Sequence, residues 1–126
     1  VKLKNIKLNF DFALDMILGI GGAFEGSKKM LIFLLLDVLR TFFTNITEKL
    51  QEKDAYLIYL IHKIDYRKMG VSKEDLAEYV KKDSVIQEKK YFEKEEDMEE
   101  SLKRLENIQS IVLEDGCYHI SETILN

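Results

Sequence analysis

Apolar residues recur at helical spacing in five stretches of the chain and alternate with polar ones in two. Residues 1–10 set Val1, Leu3, Ile6, Leu8 and Phe10 among lysines and asparagines, which predicts a short strand or extended arm. Phe12, Ala13, Met16, Ile17 and Ile20 then follow a helical period from about Asp11 to Ile20. Gly21 and Gly22 should stop that helix, because glycine readily takes the left-handed conformation of a helix end. Ser27 is placed to cap a second helix running to about Thr44. Its run Met30 to Leu36 is unbroken apolar residues, so burial on nearly all sides is expected. After a polar turn at 45–53, Asp54 to Ile64 predicts a third helix with a stripe of Tyr56, Leu57, Leu60, Ile61 and Ile64.

The second half of the chain is punctuated more clearly. Gly70 ends a loop, Val71 can pair as a short strand, and Ser72 with Asp75 approximates a capping box. The helix it opens carries Leu76, Ala77 and Val80, and closes on Lys81 and Lys82, which suit the negative end of the helix dipole. Residues 83–96 are a mixed insertion with apolar anchors at Val85, Ile86, Tyr91 and Phe92. They read as a loop with one helical turn, or as an extension of a neighbouring helix. From Asp97 to Glu106, Met98, Leu102 and Leu105 recur at helical spacing, with Ile108 just beyond. The chain then passes directly into an apolar strand at Ile111, an Asp115–Gly116 turn, and a second alternating strand ending at Ile120.

The order from residue 54 onward, helix, short strand, helix, helix, strand, turn, strand, resembles the winged helix-turn-helix superfamily. The residues that carry it are Leu57, Leu60 and Ile61, then Gly70, Val71 and Ser72, then Leu76, Leu102, Leu105, Ile108 and Ile111, with a wing from Val112 to Ile120. The likeness covers about three-fifths of the chain and rests on pattern, not on a signature string. It implies an α+β, mainly helical fold: a winged-helix module at 51–126 with an N-terminal helical extension at 1–50. It also implies sequence-specific binding of double-stranded DNA by a transcription regulator, with the third helix of the module in the major groove. That helix would present Glu96, Glu99, Glu100, Lys103 and Asn107. Regulators of this kind often dimerise through added helices, since half-sites on DNA come in symmetric pairs. A homodimer through residues 11–44 is therefore expected, with Met30, Phe33, Leu34, Val38 and Phe42 at the interface. The other reading of these helices is the interior of a larger monomeric core.

Charge complicates this expectation. Net charge is −4, but residues 1–50 hold 7 Lys and Arg against 5 Asp and Glu, whereas residues 51–126 hold 12 against 18. The half that resembles a DNA-binding module is the acidic one, and duplex DNA is bound first through its phosphates. The cations available to meet phosphate are Arg67, Lys68, Lys81, Lys82, Lys89, Lys90, Lys94, Lys103 and Arg104, with Asn107 as a further polar contact. Glu114 and Asp115 at the wing tip repel it. The alternative function is therefore a winged-helix protein-interaction module that never meets nucleic acid and offers its acidic face to a basic partner. A weaker third reading is a small-ligand sensor with a pocket between the N-terminal helices.

Other chemistry finds little support. Cys117 and His119 share one face of a predicted strand, but a structural metal site needs four ligands and the only remaining His or Cys is His62. No metal, cofactor or catalytic residue is expected: the chain carries no phosphate loop, dinucleotide turn, HExxH helix or nucleophile–base set. The run Met30 to Phe43 is broken by Asp37 and Arg40 and is shorter than the roughly 20 residues of a membrane span. A single cysteine fits a reducing, cytoplasmic setting, and no signal-peptide pattern opens the chain.

Overall fold

A computed structural model of the chain describes residues 8–21, 28–43, 49–65, 67–121 and 124–125. The architecture is α+β and mainly helical. In chain order the elements are β1 (Leu8–Asn9), α1 (Phe10–Gly21), α2 (Lys28–Phe42), α3 (Glu52–Ile64), β2 (Val71–Ser72), α4 (Lys73–Lys82), α5 (Ser84–Lys89), α6 (Glu95–Asn107), β3 (Ile111–Glu114), β4 (Cys117–Ile120) and β5 (Ile124–Leu125). Of the residues expected to start or stop the first two helices, Gly21 is the last residue of α1. Gly22, Ser27 and Thr44 lie outside the described residues, as do residues 1–7 of the expected arm. Leu8 and Asn9 pair antiparallel with Leu125 and Ile124, tying the two ends of the described chain together.

Helix α3 lies at the centre. Its residues Asp54 to His62 are all buried, and it packs against α1, α2, α6 and β4. One apolar cluster runs from Phe10 and Leu14 on α1 through Leu35 and Leu39 on α2 to Leu102, Leu105, Ile111 and Tyr118. Burial of this kind stabilises by about 25 cal/mol per Å² of apolar surface, and α1 and α2 share this cluster with α3, α4, α5, α6 and the three-stranded sheet.

The expectation that α2 is buried on nearly all sides is corrected by the structure. Leu31, Ile32, Leu35, Leu36 and Leu39 turn inward, whereas Met30 and Phe33 are 49% and 46% exposed. Asp37 and Arg40, 3.9 Å apart, mark the same outward side. Packing on α1 and α3 needs only one stripe of this helix.

Residues 83–96 hold one short helix, α5, followed by a turn, close to the loop with one helical turn expected there. Asp83 ends α4 and at once caps α5, its carboxylate accepting the Ile86 N–H at 3.0 Å. The same carboxylate accepts the Tyr56 hydroxyl at 2.8 Å, which fixes the corner against α3. Lys90, in the left-handed conformation at φ 56°, closes α5.

The remaining turns follow from local chemistry. The Ser72 hydroxyl accepts the Asp75 N–H at 3.1 Å and starts α4 as expected. Asp115 and Gly116, at φ 52° and 78°, form the tight two-residue connection between β3 and β4. Positive φ at both positions matches the right-handed twist of the flanking strands. Val71 and Ser72 pair with Tyr118 and Cys117, so the three-stranded sheet has the order β2-β4-β3. Gly70 is at φ 90°, and a Cβ there would lie 2.6 Å from the His119 ring and 2.8 Å from the Cys117 Cβ. Only glycine lets β2 lie this close to β4.

Candidate nucleic-acid interface

The position of α6 is set by a buried carboxylate. Asp54, in the first turn of α3, has no exposed surface. Its oxygens accept the Ser101 hydroxyl at 2.6 Å, Arg104 Nε at 2.9 Å, Arg104 Nη2 at 2.8 Å and the Gln51 backbone N–H at 2.8 Å. Ser101 and Arg104 lie three apart, so both fall on the side of α6 that meets α3. A carboxylate can stay ionised out of water only with donors of this quality. Here the fork of the guanidinium and a hydroxyl supply them. At the other end of α6, Ser110 is buried, and both its hydroxyl and its N–H donate to the Leu105 carbonyl. That joint turns the helix straight into β3.

Arg104 is thereby removed from the set of surface cations. Its side chain is only 16% exposed and its Nε and Nη2 donate to Asp54, so it joins α6 to α3. The other residues expected on the outward face of α6 are there: Glu96, Glu99, Glu100, Lys103 and Asn107 are all exposed. Glu99 sits at the edge of this face in an ion pair with Lys73, the first residue of α4. That hydrogen bond raises the pKa of the Lys73 ammonium. Tyr118 on β4 lies close to the same pair. Its hydroxyl is pushed above the usual tyrosine range, first by burial and then by Glu106. Lys73 is not among the cations the sequence suggests, because its partner Glu99 lies 26 positions further on.

The other expected cations are surface residues in five places. Arg67 and Lys68 lie in the loop before β2, where the Gly70 N–H donates to the buried Asp65 carboxylate at 2.8 Å. Lys81 and Lys82 end α4, and Lys89 and Lys90 end α5. The Gln87 amide donates to the Lys81 carbonyl at 2.8 Å, which joins these last two groups. Lys94, exposed, leads into α6. Lys103 alone shares a helix with the expected reading face. The hairpin adds Glu114 and Asp115, both exposed.

The expected dimer residues divide. Met30 and Phe33 are half exposed, whereas Leu34, Val38 and Phe42 are partly buried against the core. Phe42 packs on Phe10 with ring centroids 5.5 Å apart. Cys117 and His119 do share a face of β4, both partly buried and both against Gly70. Among the described residues no group of three or more His, Cys, Asp and Glu is arranged to hold a metal ion. None of the described helices is long and apolar enough to cross a membrane. Compared with known proteins, the chain matches no family model, no curated protein and no solved structure.

Proposed function

We propose that the chain is a winged helix-turn-helix protein that binds double-stranded DNA as a homodimer and regulates transcription in the cytoplasm, without catalysis or cofactor. The observation that carries this reading is the sheet order β2-β4-β3 with α6 leading directly into the β3–β4 hairpin. In this arrangement α3, α4 and α6 are the three helices of the module, α6 is the reading helix and the hairpin is the wing. The insertion of α5 lengthens the path from α4 to α6 and carries Lys89 and Lys90 with it. The outward face of α2, with Met30 and Phe33, is the surface on which a second copy would pair.

The test is binding of a mixed-sequence duplex followed by fluorescence anisotropy across a salt series. The wild type should bind at low salt, with log K falling linearly against log salt. Glu100→Lys should tighten binding and steepen the slope, by up to about one counterion for a single added phosphate contact. Absence of binding at low salt by both proteins would overturn the reading.

A second reading is favoured by one specific observation. The first turn of α6 is Glu95, Glu96 and Asp97, and Arg104, in the last turn, is paired with Asp54. On that reading the same module is a protein-interaction scaffold, and Glu96 and Glu100 meet a basic partner. Retention on a phosphate-mimicking column at low salt separates the two, since only the DNA reading requires it.

A further inference from the structure

Helix α4 has two flanks, and only one of them faces α6. Leu76 and Val80 point into the core. At roughly 100° per residue, Lys73 and Lys81 lie to one side of them, and Lys73 reaches Glu99 of α6. Asp75, Glu78, Tyr79 and Lys82 lie to the other side. There, with Ile64 at the end of α3, they line an open groove of about 410 Å³.

The chemistry of this groove is specific. Tyr79 is 46% exposed beside a partly buried Ile64, so its aromatic side chain is accessible from solvent. Asp75 and Glu78 are exposed, and neither forms an ion pair among the described residues. They are three apart on one helix, so their Cβ atoms lie about 5–6 Å from one another. A planar cation can lie on the tyrosine ring and donate to both carboxylates at once. Lysine would present a compact, strongly hydrated charge, whereas arginine stacks and forks. Lys82 lies at the same groove and disfavours a run of positive charges.

We propose that this groove docks a single arginine, flanked by apolar residues, from a segment of another protein. The site lies on the flank of α4 turned away from α6. Of the cations expected to meet phosphate only Lys82 lines this groove, so a chain bound to DNA through α6 still offers it unless Lys82 itself holds a phosphate. The net negative charge of the groove selects a cationic guest, and the tyrosine selects one that is flat.

The experiment is a heteronuclear NMR titration of the full chain with the blocked peptide Ala-Arg-Leu-Ala and with the same peptide carrying citrulline, the neutral isostere, in place of arginine. Saturable shifts are expected at Ile64, Asp75, Glu78 and Tyr79 with the arginine peptide, and clearly weaker binding with citrulline. Asp75→Asn with Glu78→Gln should weaken the arginine peptide roughly fivefold, at the scale of two exposed charge contacts. Tyr79→Ala should weaken it as well, and Glu100→Gln should leave it unchanged. These positions are exposed or half exposed, and circular dichroism of each variant establishes that it folds. The proposal is overturned if no saturable shift occurs at these residues at millimolar peptide. It is overturned equally if the shifts lie on Glu96 and Glu100, or if citrulline binds as well as arginine.

Discussion

Replacing Arg104 by Met keeps the length and apolar stem of the side chain and removes its charge and donors. Asp54, fully buried, then keeps only the Ser101 hydroxyl and the Gln51 N–H. Breaking a buried pair on one side costs about 3–5 kcal/mol, because an uncompensated charge remains. The value here should fall near the lower bound, about 3 kcal/mol, since two donors survive. For a domain of this size that lowers Tm by about 10–15 °C. Urea unfolding gives the free energy, and a cycle with Asp54→Asn isolates the coupling, expected at about 2 kcal/mol. Asp54→Asn with Arg104→Met should be more stable than Arg104→Met alone, because no buried charge is left. The loss should persist in about 1 M salt, where an exposed pair such as Lys73–Glu99 is screened. A cost under about 1 kcal/mol, the range of surface pairs, would refute the assignment of Asp54 and Arg104 as the clamp between α3 and α6.

Three further outcomes are expected. Gly70→Ala forces a Cβ to within 2.6 Å of the His119 ring at φ 90°, whereas Gly116→Ala meets open space at φ 78°. The first should cost at least about 2 kcal/mol and the second about 1 kcal/mol in urea unfolding, and equal costs would contradict the close packing of β2 on β4. Glu99→Lys should gain less DNA affinity per charge than Glu100→Lys, because it places a lysine against Lys73; anisotropy with both variants decides. Burial, then the hydrogen bond to Asp83, raises the Tyr56 hydroxyl above its ordinary value of 10.0. Its contribution is therefore complete below that pH and is lost as pH rises above it, since the unfolded chain loses the proton first. Tyr56→Phe should lower stability at neutral pH by about 1–2 kcal/mol and show a shallower alkaline decline in chemical denaturation.

The legible parts of this fold are those whose cause is local. The Asp115–Gly116 turn needs two residues tolerant of positive φ, and Ser72 needs only a backbone N–H three residues away. Both are written in the sequence beside the structure they make. What could not be read depends on distant partners. Arg104 looks like any helix-surface arginine because Asp54 lies 50 positions earlier. The bounds of α5 could not be read, because Asp83 ends one helix and begins the next. The sidedness of α2 is marked in the sequence only by Asp37 and Arg40, and the packing of α1 and α3 shows how far the covered face extends. The pairing of β1 with β5 rests on two residues at each end of the chain, too few for any periodicity. Of the candidate site, the outward face of α6 could be predicted from helical spacing, but its ion pair with Lys73 could not.

Because α3 is enclosed from Asp54 to His62 by elements on both sides of it in sequence, its backbone has no route to solvent short of dismantling the molecule. Its amide protons should exchange with deuterium only through global opening, at rates that track the whole free energy of unfolding. Amides in the hairpin, whose tip from Val112 to Gly116 is exposed, should exchange by local fraying and ignore denaturant at low concentration. The central helix thus serves as an internal gauge: a ligand that slows exchange there has stabilised the entire chain, and one that slows only the hairpin has merely covered it.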